Sequence, residues 1–450
     1  MHRSTALISL GLLVAASAAS AADWPNWRGS NHDGKAASGP VFTSGPFSLR
    51  LAWSRPLGIA YSGISIADGR AVTMYSDGKQ DQLTALDAAT GTTVWTRAID
   101  ATFPGDGGSE GGAKSVPTID SGVVYALGPN GQLLAARLAD GSEIWRVRLD
   151  EADGALRPEF GFATSPVVAG DVLFVQTGGP KGHSLTGLDR WTGAVVWSAG
   201  DDSAEYQSPI PAELAGVAQI VAVTDHLVSG IDPATGRVYW SHPYATDGVP
   251  TPVLLDDDRF MLPGNSKSVA FRVRRGDGRF EVDDLWETAD LKGNLATPVW
   301  YDGFLYGYSG DFLTCVSAED GRKVWKSRQP GGHGLILVDG HLVIFGSGGK
   351  IVVADASPDG YHEAASIDVL DRTSYTYPSF AEGRIFVRNT REIAAVGIGP
   401  PGTPLEAGSR VHELARVARI KVASTFHGIV DWFWTEVSHH LGPGPDSPHP

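Results

Sequence analysis

One phrase recurs along this chain: an apolar strand, a D-x-x-T-G turn, and a Trp four residues after the Gly. It reads Leu86-Asp87-x-x-Thr90-Gly91…Trp95, Leu188-Asp189-x-x-Thr192-Gly193…Trp197 and Ile231-Asp232-x-x-Thr235-Gly236…Trp240. Worn copies keep the Gly and the Trp, at Asp140-Gly141…Trp145 and Asp320-Gly321…Trp325. A strand–turn–strand unit that returns every ~40–50 residues cannot bury its apolar face alone, so its copies must stack. An Asp carboxylate accepts backbone N–H groups in such a turn, and Gly takes a positive φ without a Cβ penalty. The flat Trp fills the wedge between neighbouring units and needs a partner for its N–H. Asp87, Gly91, Asp189, Gly193, Asp232 and Gly236 are therefore assigned to the fold. A ring of metal sites is set aside, because these residues lie on different units.

The closing Trp residues fall at Trp53, Trp95, Trp145, Trp197, Trp240, Trp286 and Trp325, and an eighth copy ends near Tyr361. The last strand signal, Glu392 to Val396, reads as the third strand of a unit with no turn and no Trp after it. Leu51-Ala52-Trp53 reads as an outer strand with no inner strands before it. Each fragment supplies what the other lacks. The fold class is all-β: an eight-bladed β-propeller of four-stranded antiparallel blades, closed by the N-terminal strand. Closure removes the free edges of an open array.

Composition agrees with short strands between turns, with 56 Gly in 450 residues. A net charge of -15 argues against a nucleic-acid partner, which requires a basic surface. Residues 1–21 read as a signal peptide: Arg3, an apolar run from Ala6 to Ala16, and Ala19-Ser20-Ala21 as a cleavage site. That run is too short to span a bilayer, and no later run reaches ~18 apolar residues. The chain is expected to be exported, periplasmic or secreted. No Cys stands at the cleavage site, so a lipoprotein anchor is not expected. Cys315 is the only cysteine and lies in a repeat strand, which suits a buried structural thiol.

The motif A-x-D-x-x-T-G-x-x-x-W is similar to the tryptophan-docking motif of the pyrroloquinoline-quinone (PQQ) repeat propellers. The run Trp24-Pro25-Asn26-Trp27-Arg28-Gly29 resembles the opening of exported PQQ-like repeat proteins. The resemblance covers about Trp24 to Ile398 and implies one of two functions. The quinoprotein dehydrogenases oxidise alcohols or sugars with PQQ and calcium. The branch that resembles the outer-membrane assembly factor BamB is non-catalytic and uses the ring as a docking platform. The vicinal disulfide of the alcohol-oxidising members needs two cysteines, and no C-x-x-C-H haem site is present. No calcium ligands of that branch can be placed on matching motifs.

In such a ring the loops from each outer strand to the next inner strand open onto the central channel. The longest run from Asp100 to Ala113, Asp150 to Phe162 and Ser241 to Gly248. Tyr61, Glu110, Lys114, Glu159, Tyr206, Asn294, His333 and Tyr375 are the candidate ligand-binding residues of the channel mouth. No catalytic and no metal-binding residue is assigned, and no cofactor is expected.

Beyond a linker at residues 400–408 the pattern changes. Val411, Ala415, Ala418, Val422, Phe426, Ile429, Phe433 and Val437 form the apolar stripe of an α-helical extension over residues 409–441. It is expected to pack on the ring, to self-associate, or to lie on a membrane surface. Residues 442–450 read as a disordered tail. The domain plan is a signal peptide, a propeller over residues 22–399, this linker, helix and tail. The leading expectation is a non-catalytic envelope scaffold for a protein or peptide partner. The alternatives are a PQQ-dependent oxidoreductase with calcium and a carbohydrate-binding module.

Overall fold

The computed structural model describes residues 23–401 apart from residues 37–40, 43–45, 106–109, 245–247, 249–250, 294, 333, 347 and 372–373. The signal-peptide, C-terminal-helix and tail assignments lie outside the described residues.

Eight four-stranded sheets follow one another around a ring. Seven are built from consecutive strands; blade 1 comprises Ser65–Ala67, Arg70–Ser76, Gln80–Asp87 and Thr93–Ala101. Blade 8 joins Ser379–Ala381, Arg384–Arg388 and Glu392–Gly399 to the N-terminal strand Ser48–Pro56. That strand pairs antiparallel with Glu392–Gly399, from Ser48 opposite Gly399 to Pro56 opposite Glu392. Second and third strands carry buried runs, as in Ile385-Phe386-Val387 and Ile393 to Val396, because neighbouring blades cover both faces. Outer strands are more exposed: Val195–Ala199 and Lys323–Ser327 hold no fully buried position, as expected at the rim of the ring.

The repeated phrase joins blade to blade. The indole N–H of Trp53, in blade 8, donates to the Ala88 carbonyl of blade 1 at 3.0 Å. Trp95 reaches Leu138 of blade 2 at 2.8 Å, and Trp145 reaches Arg190 of blade 3 at 2.9 Å. Trp197, Trp286 and Trp325 likewise reach Pro233, Ala318 and Ser357 of the next blade. Each such bond contributes about 1 kcal/mol net, and leaving a buried partner unmade costs more. The turn Gly lets the ring in: a Cβ on Gly193, whose φ is +75°, would stand 2.7 Å from Trp145. Asp189 Oδ1 accepts from the Trp191 and Thr192 N–H groups and from the Thr192 hydroxyl. The Thr192 hydroxyl bond holds its carboxyl below the usual range.

Trp240 departs from this pattern. Blade 5 replaces the D-x-x-T-G turn with a long hairpin, Ser268–Gly276 and Arg279–Thr288. Trp240 turns back to Gln219 Oε1 of its own blade at 2.6 Å and packs on Phe260 of blade 5. One short helix, Leu149–Asp153, opens the loop expected to be irregular from Asp150 to Phe162. Among the described residues no helix is long and apolar enough to cross a membrane.

Candidate functional site: a cup in the central channel

The inner strands of blades 3 to 6 are led in by Ser or Thr directly before Pro, at Ser165, Ser208, Thr251 and Thr297, and three of these hydroxyls tie the channel wall together. Ser165 Oγ accepts from the Val116 N–H of the preceding blade, and Ser208 Oγ accepts from the Ser165 N–H, both at 3.0 Å. Thr297 Oγ1 accepts from the Thr251 N–H at 3.0 Å, and Tyr377 Oη accepts from the Thr297 N–H. The polar ring around the axis is thus engaged in holding blades together.

The N-terminal segment lies inside this ring. Trp24 pairs with Ile66 of blade 1, and the Pro25 carbonyl accepts from the Ile119 N–H of blade 2. Arg28 is buried and donates to the carbonyls of Thr297, Pro298 and Asp33. Lys35 then pairs with Leu337 of blade 7. Residues 24–36 therefore cross the channel from blade 1 to blade 7. His32 travels with them, buried, its Nδ1 without a hydrogen bond. Burial, reinforced by the Arg28 charge, pushes its imidazole down to about 4.

Above this segment lies a cavity of about 540 Å³, floored by Trp27. Trp27, Tyr61, Phe160, Tyr206, Tyr375 and Tyr377 supply its aromatic lining. The rings brace one another: Trp27 meets Tyr377 edge-on at 4.9 Å, Tyr61 meets Tyr375 at 5.6 Å, and Phe160 meets Tyr206 at 5.8 Å. Trp27 also donates to the Thr251 hydroxyl. The formal charge in the lining is Lys114. Its Nζ makes no hydrogen bond and lies 4.6 Å from the Phe103 ring centre and 5.5 Å from that of Tyr61. Burial lowers this amine to about 8, against the opposing pull of Asp81. Burial in turn raises Asp81 to about 7, although its carboxylate accepts from the Phe103 N–H.

Of the eight residues expected at the mouth, Tyr61, Lys114, Tyr206 and Tyr375 line the cavity. Glu110 stands at the rim: its N–H donates to Tyr61 Oη, and its carboxylate pairs with Arg391 at 3.1 Å. Glu159 is exposed and outside the lining; its neighbour Phe160 takes that place, because the loop returns to the channel one residue later. Asn294 and His333 lie outside the described residues. Trp27 and Tyr377 join the lining without having been expected there. Tyr377 stands two positions from Tyr375 and directly before Pro378, where blades 3 to 6 carry Ser165, Ser208, Thr251 and Thr297. That register identifies it as a channel residue.

Among the described residues no Asp or Glu lines the cavity, whereas a calcium ion takes several carboxylate and carbonyl oxygens. The described residues do not fit a PQQ–calcium site. Elsewhere at the mouth, His226 Nδ1 is 2.9 Å from Asp202 and 3.4 Å from Asp225, and the Asp202 hydrogen bond raises the imidazole above its ordinary value.

Eight blades, the docked Trp residues and the closing strand define a PQQ-like β-propeller of the BamB type. The chain belongs to the family described as outer membrane protein assembly factor BamB, whose sequence pattern matches residues 48–159 and 79–327. It is 27% identical over 289 residues to the outer membrane protein assembly factor BamB of Yersinia pestis, covering 63% of this chain and 58% of that protein. It is 26% identical over 215 residues to that of Escherichia coli K12, covering 47% and 41%. The chain thus spans about half the length of these curated relatives. Among solved structures, BamB from Moraxella catarrhalis superposes with a TM-score of 0.56 at 16% identity, over 78% of this chain and 99% of that one. Quinohemoprotein alcohol dehydrogenase from Comamonas testosteroni superposes with a TM-score of 0.60 at 12% identity, over 86% and 82%. At these identities the likeness concerns the fold.

Proposed function

We propose that this chain is a non-catalytic scaffold of the cell envelope that binds a protein or peptide partner in outer-membrane protein assembly. Membership of the BamB family carries this reading. The composition of the cup supports it. Aromatic rings with one amine offer contact area and orientation, while general acid–base work needs paired titratable groups at the reacting centre. The polar groups that do converge on the axis hold blades together.

Photo-crosslinking in intact cells from a residue placed at Tyr375, which is exposed at the rim, tests the reading. The expected product is a covalent adduct with an outer-membrane assembly component. Stoichiometric uptake of PQQ with calcium, followed by oxidation of an alcohol or sugar at enzyme-like rates, overturns it. Saturable binding of a free glycan that blocks the adduct also overturns it, in favour of carbohydrate recognition by the aromatic lining.

A further inference from the structure

In blades 1 and 3 the third strand ends just past the partner of the docked Trp, at Asp87 after Ala85 and at Asp189 after Gly187. In blade 5 it runs on from Ala270, the partner of Trp286, to Gly276, and Arg279–Thr288 returns beside it. This ribbon therefore extends roughly four residues, or ~13 Å, further than its counterparts. Its turn joins a third strand to a fourth, so it projects from the end of the ring opposite the cup. Part of it covers the outer strand of blade 4: Phe280 packs on Tyr239 at 5.3 Å, and Asp284 bonds His242 at 2.9 Å. That cover does not account for the tip.

Residues 272–280 hold four arginines and one carboxylate, Asp277 in the turn, in a chain of net charge -15. Arg272 pairs with Asp258 and Arg274 with Asp283. Arg275 is exposed and has no ion pair among the described residues, and the same holds for Arg237 in the neighbouring turn of blade 4. The Arg275 guanidinium lies 5.6 Å from the Phe280 ring centre, and that of Arg237 lies 5.9 Å from the Tyr239 ring centre. Two guanidiniums thus flank one aromatic pair. A guanidinium resting on a ring keeps its N–H edge free for a carboxylate. The local carboxylates do not fill that role. Asp232 is engaged by the Ala234 N–H and the Tyr239 hydroxyl, and Glu281 lies opposite Arg274 on the other face of the ribbon.

We propose that the blade 5 ribbon tip is a docking site for an acidic segment of a partner protein, with carboxylates alternating with apolar side chains. The carboxylates pair with Arg275 and Arg237, and the apolar side chains cover Phe280 and Tyr239. Charge selects this occupant, because unpaired cations on an acidic chain call for an anion. A membrane surface fits less well. At the same end of the ring the turns between first and second strands expose Asp68, Asp171, Glu213, Asp257, Asp302 and Asp339. These repel a broad anionic bilayer, whereas a narrow segment reaches the projecting tip alone. The inference rests on the scaffold reading and gives the ring a second docking surface, away from the cup.

The test uses the full chain and a short fluorescent peptide of alternating aspartate and leucine. Saturable binding is expected, weakening as salt screens the charges. Combining Arg237→Gln with Arg275→Gln should weaken it at least about tenfold. Arg322→Gln, in the corresponding turn of blade 6, should leave binding unchanged, and a peptide with lysine in place of aspartate should not bind. The proposal is overturned if no binding saturates, if the double variant binds as the parent does, or if the lysine peptide binds equally. Capture of phosphatidylglycerol vesicles by the parent and not by the double variant also overturns it, by assigning the ribbon to a membrane. If the Tyr375 crosslink to an assembly component forms while the acidic peptide fails to bind, the scaffold reading stands and the ribbon site does not. If the peptide binds as expected while Tyr375 gives no such adduct, the ribbon site stands and the assembly reading does not.

Discussion

Trp27 donates its indole N–H to the Thr251 hydroxyl across 2.8 Å, although 224 positions separate the two residues. This bond fixes the floor of the cup to blade 5. Trp27→Phe should cost about 1 kcal/mol, the worth of one part-buried bond. Trp27→Ala should deepen the cavity and speed amide exchange at Trp24, whose N–H bonds the Ile66 carbonyl. Exchange measured by mass spectrometry should rise in the N-terminal peptide and stay slow in the blade cores.

Gly193 and Gly278 separate two costs of adding a methyl group. Both have positive φ, +75° and +76°, so Ala is strained by about 1 kcal/mol at either site. A Cβ at Gly278 meets nothing within 4 Å, whereas one at Gly193 meets Trp145 at 2.7 Å. Gly193→Ala should therefore lose roughly 2 kcal/mol more than Gly278→Ala in chemical denaturation. Equal losses would mean that Trp145 is not wedged against the turn.

Two buried groups give opposing pH dependences. His32 titrates at about 4 when folded, against 6.5 as its ordinary value. Below pH 6.5 the unfolded chain takes up this proton first, so His32 stabilises fully above 6.5 and loses that contribution as pH falls to about 4. Asp81 titrates at about 7 when folded, against 3.8. The folded state keeps its proton longer, so its contribution is full below pH 3.8 and declines as pH rises to about 7. Between pH 4 and 6.5 the two slopes oppose each other. Relative to the parent, His32→Gln should make stability fall more steeply with rising pH, and Asp81→Asn should make it rise. Urea midpoints at several pH values across that window read both signs.

Arg388 is buried in blade 8 and donates to Thr73 Oγ1 at 2.9 Å and to the Met74 carbonyl at 2.7 Å in blade 1. Arg388→Met leaves these acceptors without the donor and should destabilise by about 2 kcal/mol. Thermal unfolding should show a lower midpoint. An unchanged midpoint would mean that water takes over both bonds.

The ring was legible because its joints repeat: Gly91, Gly141, Gly193, Gly236 and Gly321 each precede a Trp at one fixed spacing. The gap before Trp53 and the gap after Val396 were enough to pair two strands nearly the whole chain apart. Trp240 fills the wedge against Phe260 of blade 5 as its spacing implies, while the identity of its acceptor, Gln219, depends on the next blade, where the turn is replaced. The route of Trp24 to Lys35 carries no periodicity. It is set by bonds to blades 1, 2, 5, 6 and 7 that no local pattern encodes. Glu159 and Phe160 differ by one position, and loop closure rather than residue type decides which faces the axis.

Blade 8 takes its outer strand from the start of the chain and its other three from residues 379–399. Synthesis therefore makes Trp53 long before its cross-strand neighbours exist, and the first blades must wait with a bare flank until the last three strands arrive. Such distant pairing is slow to form and leaves intermediates prone to sticking. For this protein the vulnerable interval is the time between first and last strand, and changes that shorten or lengthen that wait will alter yield without touching the finished ring.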